Sequence, residues 1–160
     1  MRVLPLVIAA GLCVSACANE AFIDEVDRAP TGQILDGGRL GTTNLRAGDC
    51  FNERSGSTVR SVDAVPCSEP HLGQVVGRAL AEPNDGWPGV ESLTEEAGPL
   101  CAALAEDALG WGIDELPNLP RLDLAAYVPD GAAWEDGDRS IVCWVEAAEP
   151  LAIDLLVVAA

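Results

Sequence analysis

The chain of 160 residues contains no lysine; all nine of its basic residues are arginine. That absence excludes two chemistries. A P-loop sets a lysine on the nucleotide phosphates, and acyl transfer of the penicillin-binding type needs Ser-x-x-Lys. Histidine is almost missing as well, with His71 alone. Zinc takes three or four protein ligands, mostly Cys and His, which one histidine beside paired cysteines does not supply. Nine basic residues against 26 acidic ones give a formal net charge of -17. Such a surface repels nucleic acid and anionic headgroups, so no nucleic-acid partner is expected. No motif for a cofactor or a metal is found, and none is expected. Long apolar runs are also lacking: Val3 to Val14 and the closing "LAIDLLVVAA" both fall short of a bilayer span, which takes about 20 residues.

What is present starts at the amino terminus. Arg2, an apolar run and small residues form a secretory signal over residues 1–16. The run ends at Val14-Ser15-Ala16-Cys17, which resembles a bacterial lipobox. In that motif the cysteine thiol takes a diacylglyceryl group, the preceding peptide is removed and the new amino terminus is usually acylated. Cys17 is therefore the expected lipid attachment site. Two or three acyl chains, at about 0.8 kcal/mol per buried CH2, anchor a protein to a membrane without spanning it. The expected location is the extracytoplasmic face of the cell membrane.

Four further cysteines, Cys50, Cys67, Cys101 and Cys143, read as two disulfides in an exported domain. Three pairings are possible, and sequence order favours Cys50–Cys67 with Cys101–Cys143. Residues 17–44 are acidic and Gly-rich with little periodicity, which predicts a lipid-anchored flexible tether. Order is expected from Leu45 to the end, as one domain.

Within it, β-rich pieces at 59–65, 73–81, 122–128 and 139–145 predict strands, and "LAIDLLVVA" is read as another, buried strand. Apolar residues from Val90 to Ala108 recur at three- and four-residue steps, the stripe of an amphipathic helix. Gly98-Pro99 interrupts that stripe, so a short helical piece and then a main helix from Pro99 to Leu109 are expected. The sum is an α+β domain: a small, mostly antiparallel sheet with one main helix on a face.

Four residues stand out as a possible binding surface. His71, with Glu69 beside it in "CSEPH", follows a turn at Pro70 and is expected to hydrogen-bond nearby backbone or a carboxylate. Trp87 stands in the turn cluster "EPNDGWPG", where a tryptophan packs back onto its domain or serves as a contact anchor. Asp138, in "WEDGDR", is expected to cap its turn or pair with Arg139 while Trp134 buries against the sheet. No nucleophile elbow or other catalytic motif accompanies them, so no enzyme is expected.

Taken together, "AGDCF", "VPCSEPHLGQVVG" and "WEDGDRSIVCWV" resemble the septum-formation family, a domain common in exported and membrane-attached proteins of actinobacteria. The family shares a Gly-Asp-Cys start, here Gly48-Asp49-Cys50, and a Cys-Ser-x-Pro-His stretch, here Cys67 to His71. A helix with a cysteine, here Cys101, precedes a Trp-x-x-Gly-Asp-Arg turn, here Trp134 to Arg139, and a last cysteine, Cys143. Two positions depart from the pattern: Gln74 stands where the family usually has Glu, and Leu72 where an acidic residue often follows the histidine. The resemblance implies a role near cell division. The function expected is a lipid-anchored binding domain at the cell envelope, with a protein or a cell-wall component as partner. The competing readings are an envelope hydrolase or transferase using His71, and a ligand-capturing lipoprotein.

Overall fold

A computed structural model describes residues 26–53, 60–84, 86–110 and 119–158. The signal segment and Cys17 lie outside these residues. In chain order they form strands β1 (Asp27–Arg28), β2 (Ile34–Asp36), β3 (Gly38–Gly41), β4 (Cys50–Glu53), β5 (Ser61–Val65) and β6 (His71–Leu80). Helix α1 (Val90–Leu109), β7 (Leu122–Tyr127), α2 (Gly131–Glu135), β8 (Ser140–Leu151) and α3 (Leu155–Val158) follow. The six-stranded sheet runs β3-β5-β4-β6-β8-β7, and β1 and β2 pair as a separate hairpin. Every pairing is antiparallel.

The apolar run "SIVCWV" does not alternate with polar residues because β8 is covered on both faces. Successive side chains on a strand point to opposite faces. Ile141, Cys143 and Val145 go to one core with Leu93, Ala97 and Ala105 of α1. Val142 and Trp144 go to another, with Leu40, Phe51 and Val62. Among the described residues no α-helix covers this second face; the sheet curls over it. Tyr127 on β7 and Phe51 on β4 have β6 and β8 between them. In a flat sheet their strands would stand about 14 Å apart, yet their ring centroids are 6.0 Å apart. Register shifts between His71 and Gly73, and between Val75 and Gly77, fall on β6 where that curl is needed. Gly73 leaves room for the Phe51 ring, whose nearest atom would lie 2.6 Å from an added Cβ.

Cys50–Cys67 and Cys101–Cys143 are both formed. The first links the start of β4 to the turn before β6, and the second ties α1 to the middle of β8. In the loop-entropy account they stabilise the domain by about 3 and about 4 kcal/mol.

Three local expectations are corrected. Helix α1 is continuous through Pro99 rather than broken there. Pro99 lies on the exposed side, so the carbonyl freed by its missing N–H faces water, and Gly98 has no Cβ to meet the proline ring. Leu93, Ala97, Cys101, Ala105 and Leu109 then keep one buried stripe at four-residue steps. The carboxyl end is not a strand beyond Leu151: it turns into α3, with Leu155 buried. Finally, the acidic segment assigned to a tether is structured from β1 onward. Arg28 donates two hydrogen bonds to the Asp49 carboxylate, at 2.6 and 2.7 Å, and β3 joins the main sheet.

Candidate functional site

The residues singled out in the sequence fall into two groups at opposite ends of β6. His71 opens that strand, opposite Leu151, while Leu80 closes it opposite Ser140. At the strand rise, ten residues separate the two ends by about 30 Å.

At the first end lie His71 and Glu69. The His71 side chain is 1% exposed, and its Nδ1 lies 2.9 Å from the Glu69 carbonyl oxygen. A carbonyl only accepts, so Nδ1 carries the proton and donates. The buried Nε2 has no hydrogen-bond partner among the described residues. The turn is held from the outside as well. Asn52 donates to the Pro70 carbonyl at 3.1 Å and accepts from the Leu72 N–H at 3.1 Å. Gln74, one of the two departures from the family pattern, is 1% exposed. Its amide nitrogen donates to Asp154 at 2.6 Å, and its oxygen accepts from the Leu155 N–H at 2.8 Å. A carboxylate in its place has no proton to give Asp154 at neutral pH. The amide therefore suits this chain's own C-terminal turn.

Asp49 completes this closed end. It is 3% exposed, paired with Arg28, and accepts the Arg46 N–H at 2.8 Å. A neighbouring hollow of about 420 Å³ is lined by Cys50, Cys67, Leu35 and Val157. Gln33, Ser68 and Asp154 line it too, and Asp154 already accepts from Gln74.

At the other end, the mouth of the curled sheet forms a cleft of about 300 Å³. One wall is the Gly41–Asn44 turn with Arg60; the other runs from Tyr127 through α2 to Ser140. Each polar group there has a local cause. Asp130 is the N-cap of α2, accepting the Ala133 N–H at 2.9 Å, and its second oxygen meets Arg60 at 2.8 Å across the mouth. Asp138 accepts the Ser140 N–H at 2.8 Å, and Gly137 (φ 91°) makes the tight turn before it. Arg139 turns away from the cleft, with its guanidinium 3.7 Å from the Trp134 ring centroid. Trp134 is buried in the core under α1. Asp138 thus caps its turn, while Arg139 stacks on the tryptophan.

Tyr127 forms the aromatic part of the cleft. Its ring stacks on Trp144 with centroids 5.4 Å apart, and its hydroxyl donates to Glu53 at 2.6 Å. Burial, and after it the hydrogen bond and charge of Glu53, push the hydroxyl far above its ordinary pKa. Trp87 stands beside α2: its ring comes within 3.3 Å of where a Cβ on Gly131 would sit, and the residue stays 45% exposed. It packs on the domain through one part and offers the rest to solvent.

The structure thus brings Asp138 to the cleft, leaves Trp87 beside α2 but outside the lining, and holds His71 and Glu69 away from it. Thr43, Arg60 and Tyr127 were not singled out from the sequence, because they come from separate segments with no motif of their own; Asp136 lies within "WEDGDR". Among the described residues, no three His, Cys, Asp or Glu side chains gather as metal ligands. Nor is any described helix long and apolar enough to cross a membrane.

Compared with known proteins, residues 47–156 match a family model described as Septum formation. The match runs past Leu151 into α3, so the C-terminal turn held by Gln74 falls within it. No curated protein and no solved structure matches the chain.

Proposed function

The chain belongs to the septum formation family, and from that premise we propose that it is a lipid-anchored, extracytoplasmic binding domain whose binding surface is the cleft at the mouth of the curled sheet. One observation carries this reading. The cleft is where an aromatic ring, a guanidinium, carboxylates and hydroxyls converge on one open volume, the ordinary composition of a recognition site. The lipobox ending at Cys17 supports attachment through lipid. The burial of His71 weighs against its use as an acid or base, since a substrate at the surface cannot reach it without opening β6.

The test uses the full chain in the cells that make it, with a photo-crosslinking residue in place of Thr43. Amine-reactive reagents are unsuited to a protein without lysine. The expected result is a discrete adduct with an envelope component from position 43 and none from the exposed position 121, in the membrane fraction. Replacing Cys17 by Ser should release the protein from that fraction. Equal labelling from both positions, together with retention of the Cys17→Ser protein on the membrane, would overturn the proposal.

A further inference from the structure

We propose that the ligand of this cleft is a saccharide, an uncharged sugar bearing hydroxyl and amide groups; the inference rests on the cleft being the binding surface. The floor and the rim differ in kind. Thr42, Pro129 and Val142 are buried at its base, whereas Thr43, Arg60 and Asp136 are exposed around it. Tyr127, stacked on Trp144, lines it as well. A sugar ring has the matching division, with C–H groups on its faces and hydroxyls around its edge. At about 300 Å³ the volume is at the small end of ligand sites, enough for one or two sugar rings.

The charges narrow the choice further. Among the described residues of the cleft, Asp130, Asp136 and Asp138 outnumber Arg60, so a phosphate or carboxylate ligand meets net repulsion from them. A cationic ligand meets Arg60 itself, and two of the three carboxylates already have partners. Asp130 holds Arg60 and the N-terminus of α2, and one oxygen of Asp138 holds the Ser140 N–H. A purely apolar ligand would strip water from the rim and give its polar groups nothing in return. An uncharged ligand that both donates and accepts fits what remains. Its hydroxyls can donate to Asp136 and to the other oxygen of Asp138, and its oxygens can accept from Arg60 and Thr43. The Arg60–Asp130 pair is solvent-exposed, with side chains 61% and 39% accessible. Such pairs add little stability, so Arg60 can swing to a ligand at small cost.

The experiment is saturation-transfer NMR on the full lipidated chain in a detergent without sugar groups. The probes are the trisaccharide of N-acetylglucosamine, maltotriose and a tetra-arginine peptide. Two variants accompany the wild type: Thr43→Trp, which fills the mouth from an exposed position, and Glu69→Gln, at the far end. Saturable transfer to a trisaccharide is expected in the wild type and in Glu69→Gln, with at least a tenfold loss in Thr43→Trp. No transfer to either sugar, or equal transfer in Thr43→Trp, overturns the inference. Preferential binding of tetra-arginine, blocked by Thr43→Trp, overturns the saccharide and leaves the cleft as a binding surface. That binding-surface reading falls separately, if position 43 gives no specific adduct in cells.

Discussion

The two ends of β6 use their polar residues in opposite ways. At the His71 end, polar groups are spent on the fold: Asp49 on Arg28, His71 on the Glu69 carbonyl, Gln74 on Asp154 and Leu155. At the Leu80 end, Asp136 and Thr43 stand exposed around an open volume. The more recognisable motif, "CSEPH", therefore marks a closed lock, while the candidate site lies where the sequence carries a turn motif and scattered residues. A single histidine with a buried ring is better understood through what it holds in place than through what it titrates.

The largest effect breaks both ends together. Replacing Cys101 and Cys143 by Ser should cost about 4 kcal/mol in urea unfolding, because that bridge ties α1 to the strand whose two faces serve both cores. Next, Asp49→Ala should lower stability by about 3 kcal/mol, since it removes the carboxylate that accepts two hydrogen bonds from the largely buried Arg28 guanidinium. The same measurement on Asp136→Ala, at the exposed rim, should show a change within about 0.5 kcal/mol. A rim substitution as costly as the Asp49 change would erase the contrast between the ends.

A smaller effect concerns alkaline pH and reads the wall of the cleft. Burial, then Glu53, raises the Tyr127 pKa above its usual 10.0. The unfolded chain therefore ionises first, so the stability contributed by the neutral hydroxyl is complete below pH 10 and is lost as pH rises beyond it. Unfolding midpoints above pH 10 should fall more steeply in wild type than in Tyr127→Phe. Tyr127 is the only tyrosine, so phenolate absorbance reports it alone. Ionisation at the pKa of a free tyrosine in the folded protein would contradict the half-buried, Glu53-bonded hydroxyl.

Much of this architecture was legible in the chain itself, because its causes are local. Runs such as Leu122 to Val128 and "SIVCWV" carry their β character in their composition, and the family motifs run from Gly48 to Cys143. The features missed depend on partners far away. Arg28 finds Asp49 across 21 positions, which turns an acidic, Gly-rich segment into ordered structure. Leu155 bonds Gln74 across 81 positions, which fixes a helical turn where the composition reads as strand. Pro99 was misjudged because its local penalty is real, but the stripe from Leu93 to Leu109 outweighs it once the sheet is present to receive it. The cleft was the least visible of all: its walls come from the turn at 41–44, Arg60 and the stretch from Tyr127 to Val142, brought together only when the sheet curls.

The most direct test compares His71→Gln with Asp136→Asn, each measured for unfolding stability and for support of cell division at matched abundance. The account predicts that His71→Gln loses stability, by about 1–3 kcal/mol for a buried hydrogen bond with an orphaned partner, and keeps its activity per folded molecule. Asp136→Asn should fold like the wild type and lose function. A His71→Gln protein that is fully stable yet inactive, beside an Asp136→Asn protein that still supports division, would contradict it.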